Sequence, residues 1–178
     1  MIKDRFFLGI ISGLAGNLAK NIIDEISVKK KISQRSFRST AAGVFVSNKS
    51  ETQNIKGQIL GGLFDFGMGS MGGVFIVEFL SRRGRDHLII KGIATGISMG
   101  SLITFILNAL PSNKVKPKDA ASNLSYMLSH AVYGLVTIFT ASILGHKSIF
   151  DTKPTNDYIP PTFETTEENN SSINHSKS

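Results

Sequence analysis

Residues 88–110 read LIIKGIATGISMGSLITFILNAL, and from Gly92 through Ser112 the chain carries no charged side chain. A soluble helix of this length shows a polar face at helical period, and this stretch has none. A bilayer's hydrocarbon core, about 30 Å thick, is crossed by about 20 helical residues at about 1.5 Å each. Three further stretches, residues 6–26, 58–80 and 122–144, share that length and the same apolar, glycine-laced composition. Together they predict an all-α fold, an integral membrane four-helix transmembrane bundle over residues 1–147, followed by a disordered polar tail at 148–178. The lipid bilayer is therefore the first partner that the sequence implies.

Averages conceal this organisation. The chain is 41% hydrophobic with a mean hydropathy of +0.06, values that suit a soluble domain. The polar residues gather instead at 28–56 and 147–178, leaving the four stretches nearly free of charge. Twenty Lys and Arg against 13 Asp and Glu give a net charge of +7, as expected where basic loops flank membrane spans. A nucleic-acid partner is not expected: Phe37 and Phe45 lie near Arg35 and Arg38, but no recognition motif surrounds them. Cysteine is absent, which excludes disulfides, thiolate nucleophiles and Cys-based metal sites. The first stretch follows Lys3 and Arg5 like a signal peptide, yet no clean small-x-small site follows it, so an uncleaved anchor is expected.

The connections follow from the spans. About thirty residues join the first two, opening with Lys29, Lys30 and Lys31. Within them Phe37 to Val46 is semi-apolar beside Arg35 and Arg38, the composition of a short helix lying flat at the interface or of a solvated loop. Spans two and three are joined by a tight basic turn, Ser81 to His87, and spans three and four by Pro111 to Ala121. The larger share of Lys and Arg falls on the 28–56 and 111–121 loops, which orients that side toward the cytoplasm.

Glycines are the main packing signal. Gly92, Gly96 and Gly100 recur every four residues with Thr104 and Asn108, forming one shallow stripe on the third span. Gly61, Gly69 and Gly73 mark the second span, Gly9, Gly13 and Gly16 the first, and His130, Gly134, Ala141 and Gly145 the fourth. Small residues let neighbouring helices approach backbone to backbone. Such stripes pack one bundle internally or form the seam of a homo-oligomer.

Ionisable groups inside a span are costly and turn toward the protein interior. At about 1.5 Å per residue, Lys20, Asp65 and His130 each fall roughly 6 Å from the midpoint of their span, all toward the larger loops. Asn21, Thr104 and Asn108 fall in the same half, and Asn17 lies near the centre. Asn17, Lys20, Asn21 and Asp24 also share one helix face, by spacings of three, four and seven. A cluster of Asn17, Lys20, Asn21, Asp65, Thr104, Asn108 and His130 is therefore expected. Its first role would be a Lys20–Asp65 pair with amide and imidazole partners, and its second a proton, cation or polar-solute site. Glu78 and Arg82 have the spacing of a surface helix pair.

Enzymatic signatures are missing. Gly67 to Gly72 matches G-x-G-x-x-G, but within an apolar helix that pattern packs helices and implies no cofactor. Ser129 and His130 are adjacent, so they point about 100° apart on a helix and make no catalytic pair. The four histidines lack metal-binding spacing, and no metal is expected.

A short basic start, a glycine-rich first span ending Asn21-Ile22-Ile23-Asp24, and a last span containing Ser129-His130-Ala131-Val132-Tyr133-Gly134-Leu135 complete the pattern. Over about residues 5 to 146 the chain resembles small four-span conserved membrane proteins of Gram-positive, often spore-forming, bacteria. The resemblance implies a bacterial cytoplasmic membrane protein with no catalytic residues to transfer. The expected function is a structural or partner-binding role, the alternative a small homo-oligomeric transporter or channel.

Overall fold

The computed structural model describes residues 1–116 and 119–150. It is all-helical, and the tail predicted to be disordered lies, from residue 151 onward, outside the described residues. Four helices are long and apolar enough to cross a membrane: α1 (Arg5–Lys29), α3 (Ile55–Arg83), α4 (Leu88–Ala109) and α5 (Ala120–Leu144). A short helix, α2 (Phe37–Ala42), follows α1. Each long helix matches its predicted span to within a few residues.

Local chemistry sets the ends. Asp4 caps α1 by accepting from the Phe7 amide at 2.6 Å, Asn54 caps α3 through the Gly57 amide at 2.8 Å, and Asp119 caps α5 through the Ser122 amide at 2.8 Å. Gly84 stops α3 with φ at 74°, a left-handed backbone that favours glycine. Lys91 then ties the turn down: its ammonium donates to the Arg83 and Gly84 carbonyls and pairs with Asp86.

The helices stand in the order α3, α1, α5, α4. α1 packs on both α3 and α5, α4 packs chiefly on α5, and α3 and α4 barely meet. At the terminal end, Leu8, Ile76, Val77, Leu80, Ile138 and Phe150 form an apolar core. Ile2 extends the join, its amide donating to the Leu144 carbonyl at 2.8 Å while its own carbonyl accepts from His146 at 2.9 Å. A second, smaller core of Phe37, Leu107 and Tyr126 lies at the loop end. The polar cluster occupies the level between them.

Glycines make the contacts close. A Cβ on Gly96 would lie 3.1 Å from the Gly134 Cα, and one on Gly134 would lie 2.8 Å from the Gly96 Cα. Gly92 and Gly100 face Ile138 and His130 of the same helix, so the three glycines of the α4 stripe are covered by α5. On the other flank Gly73 meets Gly9 and Gly13 of α1, Gly69 meets Asn17, and Gly61 meets the Arg38 carbonyl of α2. The stripes are thus buried within one chain.

The sequence allows residues 37–46 either a short interfacial helix or a solvated loop, and a helix forms over Phe37–Ala42. Ser36 caps it, and Phe37, Ala41 and Ala42 are buried against α3 and α5. Gly61 of α3 receives its backbone, which seats it on the bundle.

Gly96→Ala should destabilise the bundle by about 1–3 kcal/mol through overpacking. Gly67→Ala, where an added Cβ meets nothing within 4 Å, should instead stabilise it by up to about 1 kcal/mol through helix propensity. Thermal or denaturant unfolding in detergent checks both, and equal effects would contradict the α4–α5 contact.

Candidate functional site

The site starts from the polar face of α1. Asn17, Lys20, Asn21 and Asp24 are all buried on it, because positions related by three, four and seven residues stack along one face. Asp65 of α3 meets that face opposite Asn17, in the register set by Gly69 and Gly73. Lys20 is 1% and Asp65 3% exposed, so both charges are removed from solvent and lipid alike.

Their arrangement satisfies the carboxylate on both oxygens. Asp65 Oδ1 pairs with the Lys20 ammonium. Oδ2 accepts from Asn17 Nδ2 at 3.1 Å and from Asn21 Nδ2 at 2.8 Å. The second Asn21 N–H donates to the Asn17 carbonyl at 2.9 Å, which fixes the orientation of its amide. One helix therefore supplies every hydrogen-bond donor that the carboxylate uses among the described residues. An ionised carboxylate accepts only, and its donors here are an ammonium and two amides.

α2 closes the loop-side end of this network. Asp24 Oδ2 accepts from the Phe37 amide at 2.6 Å, an unpaired donor at the start of α2. Arg38 Nη2 donates to Asn21 Oδ1 at 3.2 Å. The Lys20 ammonium lies 4.4 Å from the centroid of the Phe37 ring, a cation–π contact. Phe37 in turn meets Tyr126 and His130 edge-on, at centroid distances of 5.4 and 4.9 Å.

α5 contributes a wall. His130 Nδ1 donates to the Tyr126 carbonyl at 2.7 Å, and the carbonyl's acceptor character assigns the proton to Nδ1. Tyr133 donates to the Gly69 carbonyl at 2.6 Å, bridging α5 to α3. A cavity of about 20 Å³ remains between Asn17, Lys20, Asp65, His130, Tyr133 and Met99. That is room for about one water molecule.

Of the seven residues expected to cluster, Asn17, Lys20, Asn21 and Asp65 join directly. His130 lines the same cavity without a hydrogen bond to Asp65. Thr104 and Asn108 stand apart, and Thr104 Oγ1 and Asn108 Oδ1 have no hydrogen-bond partner among the described residues. α4 reaches the cavity through Met99 and Ile103 instead. Phe37, Arg38 and Tyr133 belong to the site although their sequence context gave them no such role; the Ser36 cap before Phe37 was the available signal. Among the described residues, no group of three or more His, Asp or Glu side chains is placed to hold a metal ion. Glu78 pairs with Arg82 at 2.9 Å on the exposed surface, as their spacing predicts.

No protein-family model, curated protein or solved structure matches this chain.

Asp24→Leu should release α2 by leaving the Phe37 amide without its acceptor. Because the chain has no native cysteine, Ala41→Cys provides a clean probe at a fully buried position. Maleimide labelling of that cysteine should be slow alone and become at least about tenfold faster with Asp24→Leu, the size expected for about 1.4 kcal/mol of lost docking. Unchanged labelling would separate Asp24 from the placement of α2.

Proposed function

We propose that this chain is a non-enzymatic multi-pass protein of the cell membrane with a structural or partner-binding role. Its Lys20–Asp65 network would serve to hold α1, α2 and α3 in register. The observation that carries this is the saturation of Asp65, whose two oxygens are occupied by Lys20, Asn17 and Asn21. A solute or ion arriving at Asp65 would have to displace three bonds in a space sized for about one water. The family resemblance adds a bacterial cytoplasmic membrane as the setting, and the distribution of Lys and Arg favours the 28–56 and 111–121 loops as its cytoplasmic side.

The alternative is a small homo-oligomeric transporter or channel for a proton, cation or small polar solute. Its support is the position of the cavity, which reaches Asp65 and His130 from the side where α3 and α4 stand apart.

A double-substitution cycle separates the two. Breaking a buried ion pair by removing one partner costs about 3–5 kcal/mol, whereas replacing both with apolar residues is often neutral. Lys20→Met and Asp65→Leu should each destabilise strongly, while the double variant should unfold near wild type. Proteoliposomes of wild type and double variant should show equal proton leak by an internal pH dye. Additive destabilisation would overturn the register role, and a proton flux lost in a stable double variant would favour the transporter.

A further inference from the structure

A second polar site lies outside the Lys20–Asp65 network, at the loop end of the bundle. Two connections meet there and enclose a pocket of about 310 Å³, near the lower end of the size range for ligand sites, about 300–1,000 Å³. Arg35 enters it from the α1–α2 connection, Lys49 from the 3₁₀ turn Lys49–Gln53 (before α3), and Lys114 and Lys116 from the α4–α5 connection. Gln34 and Asn113 supply neutral polar groups. Among the described residues no carboxylate lines it.

The two acidic residues nearest in sequence are already engaged. Glu51 accepts from Asn48 Nδ2 at 3.2 Å. Asp119 accepts from the hydroxyl and amide of Ser122, which hold its carboxyl below its ordinary value. Neither lines the pocket, so among the described residues its Arg and Lys groups have no carboxylate beside them in the lining. Among the described residues, Arg35 Nη1 is buried and has no hydrogen-bond partner, although a buried guanidinium nitrogen ordinarily finds an acceptor.

Both connections are held by contacts that leave the basic side chains free. The Arg35 carbonyl accepts from Tyr126 at 2.9 Å and from Ser33 at 2.7 Å, and the Gln34 amide donates to Ser122 Oγ at 3.0 Å. Opposite, Asn113 Nδ2 donates to the Leu107 and Thr40 carbonyls at 2.9 and 3.2 Å, and the Lys114 amide donates to the Gly43 carbonyl at 2.9 Å. Backbone fixed by buried bonds presents an Arg fork and three ammonium groups around one space, which lowers the ordering cost of binding.

Depth narrows the ligand. Ala109, at the end of α4, lies about 16 Å from that helix's midpoint at about 1.5 Å per residue. Half the hydrocarbon thickness is about 15 Å, so the pocket falls at the level of the headgroups. We propose that this pocket binds a phosphate group, the anion that an Arg fork and clustered Lys side chains recognise. Its position favours the headgroup phosphate of an anionic phospholipid, and a soluble phosphate compound presents the same chemistry.

The full chain in nanodiscs of phosphatidylcholine with a minority of phosphatidylglycerol tests the lipid source. Native mass spectrometry after release from the disc counts the phosphatidylglycerol retained by wild type, by Arg35→Gln and by Lys49→Gln/Lys114→Gln/Lys116→Gln. A triple variant on the opposite face, Lys3→Gln/Arg83→Gln/Lys147→Gln, controls for net charge. The site triple should retain phosphatidylglycerol roughly a hundredfold more weakly, at about fivefold per charge, and Arg35→Gln should also weaken it. The control triple should match wild type. A second arm titrates inorganic phosphate into pure phosphatidylcholine discs. Saturable binding there that Arg35→Gln abolishes, without a phosphatidylglycerol preference, would uphold the site and assign it to soluble phosphate. Wild type and site variants alike in both arms, or a control triple as weak as the site triple, would overturn it. The substituted side chains, apart from Arg35 and Lys116, are exposed, and equal melting temperatures across the set confirm that each variant is folded.

Discussion

A carboxylate among lipid-facing helices must be compensated from within the protein, and in this fold Asp65 is compensated by a single face of α1. Lys20, Asn17 and Asn21 converge on it from consecutive turns, so the pairing constrains both the rotation and the height of α1 against α3. A shift of one residue would turn the three donors by about 100° and strand the charge. Apolar packing alone tolerates such slippage far better, because lipid tails and leucines are chemically alike and supply no register. The same face also anchors α2 through Asp24 and Asn21.

The glycines act on the other coordinate, distance. Gly13, Gly69 and Gly73 bring α1 and α3 near enough for short amide donors to reach Asp65, and Gly96 and Gly134 bring α4 and α5 together without a buried charge between them among the described residues. Orientation by hydrogen bonds and proximity by small residues are thus separate devices. α4 relies chiefly on the second, with a Ser101 to Met127 Sδ contact of 3.0 Å beside it, and it leaves its Thr104 and Asn108 outside the network.

The spans were legible in the sequence because length and absence of charge are one-dimensional signals, and the pairing of Lys20 with Asp65 was legible from their depths. Antiparallel helices reduce depth to residue counting. What counting cannot give is the azimuth of each helix. Thr104 and Asn108 lie in the same half of the bundle as Asp65 but face another direction, since α4 follows α5 and not α3. The place of Phe37 was hidden for a different reason: six residues are too few to show a period, and its ring is met by Tyr126, His130 and Lys20, all distant in sequence.

The donors and the acceptor of this network are separated along the chain, Lys20 preceding Asp65 by 45 residues. A ribosome adding about 5–20 residues per second emits the two roughly 2–9 s apart. During biosynthesis α1 must therefore wait beside the insertion machinery, or at the membrane boundary, with its ammonium and amides unmatched. Its final seat further requires α5, the last of the four long helices among the described residues, which packs on it as well and follows with the 145–146 backbone that holds Ile2. Among the described helices α1 is made before its partners, yet its packing is complete only once α5 has emerged.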